Sequence, residues 1–324
     1  MPVATSQVTE RARALVADRR EAALALGREA GDLAGDPVLV VARICEGLPA
    51  LADPEYHEGQ HVIAPGLGST FGVRQPLLTQ ITAGLRAATR RDPPSTLLAI
   101  AERLLREDRH EPRWLALPLL ERVITRDPER AWQLVRATAR TAADWITVDS
   151  LAHVAAEGIL AEPFRWAELE QLVYSPSRWE RRLVGSTLAT IPYQDRTTGR
   201  TLEVARRGIA IVGELIGDSE PDVQKALSWA LRSLTIVDAP AVIAFLEHEA
   251  ATAAATADGH RAWVVRDALE RLPEPVAASI RATVDGIRKR PHASSTSHAA
   301  EAAAAFAGLG VGVPPAERPT VPRP

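Results

Sequence analysis

Leu97-Leu-Ala-Ile-Ala-Glu-Arg-Leu-Leu105 sets the pattern that the rest of the chain repeats. Its apolar residues, Leu97, Leu98, Ile100, Ala101, Leu104 and Leu105, recur at three- and four-residue intervals. That spacing gathers them on one side of a helix. The same period returns nearly everywhere along the sequence. Strand signals are almost missing, and glycine and proline fall between the apolar runs rather than inside them. These features predict an all-α chain.

Working outward, the helices come in pairs, and one member of each pair repeats. Segments opening near Pro112-Arg-Trp114, Ala143-Asp-Trp145, Ser177-Arg-Trp179, Pro221-Asp-Val223 and Arg261-Ala-Trp263 have third residues 31, 34, 44 and 40 positions apart. Between them lie partner helices expected to open with Pro128, Pro163 and Pro240. Proline suits that position, because its missing N–H would have no intrahelical partner anyway. One helix pair per period predicts a HEAT-like helical repeat solenoid, an ARM/HEAT-type superhelix with one helix of each pair lining a concave face. Residues 1–35 read as a charged N-terminal helix, and 36–290 as the repeat domain. Residues 291–324, rich in Ser, Ala, Gly and Pro, read as a disordered tail with a helical patch around Ala299–Phe306.

The 324 residues carry a net charge of −3, so any polyanion must be held by local clusters of base and not by the whole field. Lys225 and Lys289 are the only lysines, so nearly all 38 basic residues are arginine and only their placement is informative. Cys45 stands alone, which excludes an intramolecular disulfide and a cysteine zinc cluster. The first thirty residues lack an apolar core for a signal peptide, and no uncharged apolar run reaches membrane-spanning length. The expectation is a cytoplasmic, nucleoid-associated monomer with no membrane partner and no cofactor or metal.

Three segments suggest chemistry. In Ala143-Asp-Trp-Ile-Thr-Val-Asp149, Trp145 and Asp149 stand four apart, which sets a carboxylate one turn from an indole on one helix face. Ser177-Arg-Trp-Glu-Arg-Arg182 gathers Arg178, Arg181 and Arg182 within about one turn. Asp222-Val-Gln-Lys-Ala-Leu-Ser-Trp-Ala-Leu-Arg232 lines up Lys225, Trp229 and Arg232 along one stripe. A tryptophan flanked by cations suits a surface that stacks on sugar or base and neutralises phosphates.

The order Trp-x-x-x-Asp, Trp-x-x-Arg, Gln-Lys-Ala-x-x-Trp-x-x-Arg, each about one repeat apart, resembles the AlkD-like HEAT-repeat family of DNA alkylation repair glycosylases. Phe71-Gly-Val-Arg-Gln-Pro76 is similar to that family's entry into its early repeats, and the likeness runs over roughly residues 60–275. The resemblance implies that Asp149 is the catalytic carboxylate, with Trp145 and Trp229 as walls about the lesion's sugar. It also implies that Arg182 and Arg232 hold the DNA backbone, that the partner is double-stranded DNA with alkylated purines, and that no base is flipped into a pocket. Two departures stand out. The aromatic of the family's first DNA-contacting helices has no match here beyond Tyr56, and both chain ends lie outside the likeness.

The chemistry is coherent in its own terms. An N3- or N7-alkylated purine is already cationic, so it leaves without being protonated first. What remains is to stabilise positive charge on the deoxyribose, which a fixed carboxylate does electrostatically and indole faces assist. Two rivals compete. His57-Glu-Gly-Gln-His61 matches the H-E-x-x-H zinc-hydrolase motif. Against it stand Pro54, Gly59 and Pro65 around the motif and the lack of Asp or Glu over residues 62–91. The other rival is a non-catalytic HEAT-repeat module binding nucleic acid or protein.

Overall fold

The computed structural model describes residues 3–64 and 66–307. Among these residues the chain forms sixteen α-helices and three short 3-10 turns. No strand forms beyond two isolated bridges, Ala52 with Val73 and Ser69 with Arg109. The all-α expectation holds. No helix among the described residues is long and apolar enough to cross a membrane. The chain divides into two compact units, one holding the residues up to 166 with 193–199, the other 167–192 and the residues from 200 onward.

The first unit contains α1 (Val3–Asp32), α2 (Pro37–Gly47), α3 (Pro54–Ile63), α4 (Gln75–Ala88), α5 (Pro94–Leu105), α6 (His110–Val123), α7 (Pro128–Thr141) and α8 (Trp145–Ala161). Aspartates at the residue before the helix start several of them. Asp36 accepts from the backbone N–H of Val38, and Asp53 from that of Glu55, each followed by a proline that opens the helix. The long α1 lies along α4, burying Ala23, Leu26 and Ala30. Two glycines permit this approach: a Cβ on Gly84 would stand 2.2 Å from the Leu24 carbonyl oxygen, and one on Gly27 2.0 Å from that of Ile81. Beyond it α5 packs on α6, α7 on α8 and α6 on α8, giving the paired, layered arrangement that the repeat spacing requires.

Proline does enter helices, against the sequence expectation. Pro118 lies inside α6 and is half-exposed, so the carbonyl of Trp114 loses the amide it would otherwise accept from. Behind α8, fully buried Trp132 carries the Arg165 guanidinium 5.0 Å from its ring, and Arg165 is ion-paired with Glu162 at 2.5 Å.

The second unit holds most of α10 (Arg178–Gln194), then α11 (Leu202–Leu215), α12 (Pro221–Leu234), α13 (Ala239–Thr256), α14 (Gly259–Ala268), α15 (Glu274–Thr283) and α16 (His298–Ala307). The short α9 (Arg165–Gln171) carries the chain across the division, and it starts two residues after Pro163 rather than on it. Within this unit α11 pairs with α12 and α13 with α14, while α12 packs on α14 and α11 on α13. Gly185 brings α10 against α12, since a Cβ there would lie 2.8 Å from Ala226.

The C-terminal segment corrects the sequence reading. Residues 291–307 are not a structureless tail: Thr296 donates its N–H to Gly217 O at 2.8 Å, Ser297 is buried, and α16 packs on α11. Alanine-rich His298–Ala307 has high helix propensity, coincides with the helical patch expected around Ala299–Phe306, and buries Ala299. Residues 308–324 lie outside the described residues.

Candidate functional site

In the first unit the start of α8 is built around Asp144. Its carboxylate caps the helix, accepting from the Thr147 N–H and the Thr147 hydroxyl, both at 2.8 Å. The next residue, Trp145, is therefore the first of the helix, and its indole N–H donates to Ile63 O at 3.2 Å on the end of α3. Gly66 presses on the same place, where a Cβ would stand 1.9 Å from Ala143 O. Asp149 follows one turn along α8, half-buried and not turned into the core.

The stripe begun by Trp145 and Asp149 continues through exposed His153 to Glu157. Glu121 of α6 faces the same stripe. Burial pushes its carboxyl above the ordinary value, Glu157 pushes the same way, and His153 and Arg86 of α4 pull it back. One face of this unit thus gathers side chains from α4, α6 and α8. On it Trp114 and Pro118 of α6 join Arg86 of α4, Arg90 just beyond its end, and Glu121 in lining an open groove of about 640 Å³. Sequence reading used Trp114 only to mark a repeat. Its position one turn before an interior proline was the available signal.

The Phe71–Pro76 segment has a structural task. Fully buried Glu111 accepts from three consecutive backbone amides, Phe71 at 2.9 Å, Gly72 at 2.8 Å and Val73 at 3.1 Å. Gly72 adopts φ +78°, and a Cβ there would meet His57 Cβ at 2.6 Å, so no larger residue fits. Arg74 bonds Asp53 at 2.6 Å and stacks 4.9 Å over the Tyr56 ring, which occupies Tyr56 in the wall of this loop.

His57 and the H-E-x-x-H motif lie on α3, which is helical despite Gly59, and His57 Nδ1 is 2.7 Å from the Thr70 hydroxyl. Among the described residues no group of three or more His, Cys, Asp or Glu is placed to hold a metal ion.

In the second unit the predicted cations divide by task. Arg178 is exposed, 4.8 Å over the Trp179 ring and 3.5 Å from Glu220. Arg181 binds Asp218 at 2.6 Å and Ser175 O at 2.8 Å, while buried Arg182 donates to Asp222 O at 2.6 Å. Arg232 donates to the Asp267 carboxylate at 2.8 Å and to Asp267 O at 2.7 Å. Arg181, Arg182 and Arg232 therefore fasten helices, where the sequence reading expected phosphate contacts. A guanidinium offers five donors, and acids in the following repeat reach them first. Lys225 is exposed, its ammonium without a hydrogen bond or ion pair among the described residues, and Trp229 is half-exposed one turn on. Lys289, the other lysine, lies 4.2 Å over the Trp263 ring.

Comparison with known proteins adds three findings. A family model described as DNA alkylation repair enzyme matches residues 44–272. No curated protein sequence matches the chain. Among solved structures, a predicted DNA alkylation repair enzyme from Enterococcus faecalis is similar, with a TM-score of 0.57 and 14% identity over 69% of this chain and 97% of the other, a likeness of fold.

Proposed function

The chain belongs to the DNA alkylation repair enzyme family, and we propose that it acts there as a glycosylase that releases cationic N3- or N7-alkylated purines from double-stranded DNA. The observation that carries this reading is the head of α8. A capped helix start holds Trp145 by its indole N–H and presents Asp149 one turn later on a partly open face.

The alkylated ring already bears positive charge, so the glycosidic bond breaks with its electron pair moving onto the purine. No acid is required. The deoxyribose is left electron-poor at C1′, water adds there and loses a proton, and an abasic sugar remains. Asp149 supplies fixed negative charge beside that sugar, where water is partly excluded and Coulomb attraction is strong. The Trp145 face adds cation–π attraction and excludes water. Trp229, one turn from Lys225, is the second aromatic of the reading. Lys225 and Arg178, the exposed cations, take phosphates, with Arg181, Arg182 and Arg232 as positioning residues behind them. The protein works as a monomer in the cytoplasm, without metal or cofactor.

Lesion charge is the test. Purified protein should release 7-methylguanine or 3-methyladenine from methylated duplex DNA, and no neutral base from duplexes carrying uracil or hypoxanthine. Release of neutral bases at similar rates would demand an acid that protonates the leaving base, and would overturn this reading. Binding of methylated DNA with no release would leave a non-catalytic binding module.

A further inference from the structure

We propose that the groove between α4 and α6 binds an unpaired nucleobase of DNA, with the Trp114 indole as its stacking platform and Arg86 and Arg90 as contacts for the adjoining phosphates. It rests on DNA being the partner, but not on the cleavage chemistry.

The groove measures about 640 Å³, within the usual range for a site that takes a small ring system. Trp114 is half-exposed, and its indole makes no hydrogen bond or ring contact among the described residues. Its flat face is available for a base, and every base has a flat face to offer. Pro118, one turn on, denies the Trp114 carbonyl its helical donor, so an acceptor is left at the groove wall. Across from it, the Thr82 hydroxyl of α4 is buried without a partner. A stacked base carries ring and exocyclic groups that can meet both.

Charge points the same way. Arg86, in the last turn of α4, and Arg90, in the turn just after it, are both exposed and neither is ion-paired among the described residues. Arg122 closes the end of α4 by donating to Thr89 Oγ1 at 2.8 Å and Thr89 O at 3.0 Å. Burial chiefly holds the Arg122 guanidinium below its ordinary pKa, with Arg86 and Arg126 adding to it and Asp92 opposing. Glu121, the groove's one acid, faces the α8 stripe that carries His153 one turn beyond Asp149. Glu121 thus belongs both to the groove and to the face that α8 presents one turn beyond Asp149. A paired base is covered on both faces by its neighbours and has no free face to stack, so the indole selects an unpaired one.

The test uses unalkylated DNA, which has no lesion to release, so it is independent of the glycosylase reading. Two duplexes carry 2-aminopurine, one in a single-base bulge and one paired. Wild type should bind the bulged duplex more tightly and quench its 2-aminopurine emission. Trp114→Leu keeps an apolar side chain in place of the ring. It should lose about 5- to 150-fold in affinity for the bulged duplex alone, with the quench, as stacking of about 1–3 kcal/mol requires. Trp114→Phe should retain most of both. Arg86→Gln and Arg90→Gln, at exposed sites where folding is not at stake, should each flatten the salt dependence of binding to the bulged duplex by about 0.9 in log–log slope. Equal affinity of wild type for the two duplexes, or an unaltered quench in Trp114→Leu, would overturn the proposal, as would unchanged salt slopes in both arginine variants.

Discussion

Exchanging Glu111 for glutamine changes little in size and a great deal in hydrogen bonding. The carboxylate is fully buried and accepts from the N–H groups of Phe71, Gly72 and Val73 at 2.8–3.1 Å. Glutamine keeps one acceptor oxygen and turns the other into an NH2, which then faces an amide donor with a donor. The Phe71 amide loses its Oε2 partner, while all three amides can keep an oxygen at the Oε1 position. Hydrogen bonds to a charged group contribute about 1.5–3 kcal/mol each against about 0.5–1.5 for neutral ones, so every remaining bond weakens as well. The expected loss in Glu111→Gln is therefore about 3–6 kcal/mol, weakened charge assistance included. With a urea slope of about 3 kcal/mol/M the unfolding midpoint should fall by about 1–2 M. Glu111→Asp, which keeps the charge but falls short of the loop, should lie between. The same connection runs through Gly66 to the head of α8, so base release should fall along with stability. A midpoint within about 0.3 M of wild type would refute the view that this carboxylate organises the loop.

Three further outcomes follow from particular contacts. Burial lowers the His110 pKa, against the pull of Glu111 and Asp144, so the unfolded chain takes up a proton near pH 6.5 that the folded chain refuses. Stability should then be full above about pH 6.5 and fall as the pH drops through it, and melting curves of His110→Gln should lack that component. Gly84→Ala places a methyl carbon 2.2 Å from the Leu24 carbonyl, so it should lower the melting temperature by prying α1 from α4; an unchanged melting point would mean the two helices yield at no cost. Lys225→Ala should reduce the log–log salt slope of DNA binding by about 0.9 with no change in melting, whereas Arg182→Ala should lower melting, because its guanidinium is buried against Asp222 O. The reverse pattern would return Arg182 to the phosphate surface.

Helix type and pairing were legible because they depend on period alone. The spacing of Leu97 to Leu105 and the prolines before α7 and α12 express local rules that tertiary packing did not override. The Trp145–Asp149 pair was legible for the same reason, since four residues along a helix fix a shared face. Partner choice was not. Whether Arg181 meets a phosphate or Asp218 depends on what the following repeat brings near it, and no local pattern encodes that. Glu111 was hidden likewise, because its three donors lie 38 to 40 residues away. Trp114 was overlooked because proline reads as a boundary, although at Pro118 the helix runs through it and opens a carbonyl instead. The tail misled only in part: its alanine patch was legible as a helix, but serine and proline before residue 298 gave no sign that Thr296 anchors the segment to Gly217.

The account stands on the Asp149 carboxylate stabilising a cationic sugar. Single-turnover release of 7-methylguanine from duplex DNA, compared between wild type and Asp149→Asn, measures that contribution directly. The account predicts a fall of about 100- to 1,000-fold, with DNA affinity and melting temperature unchanged, as expected when a fixed electrostatic partner of the transition state is neutralised. Equal release rates in the two proteins would contradict it.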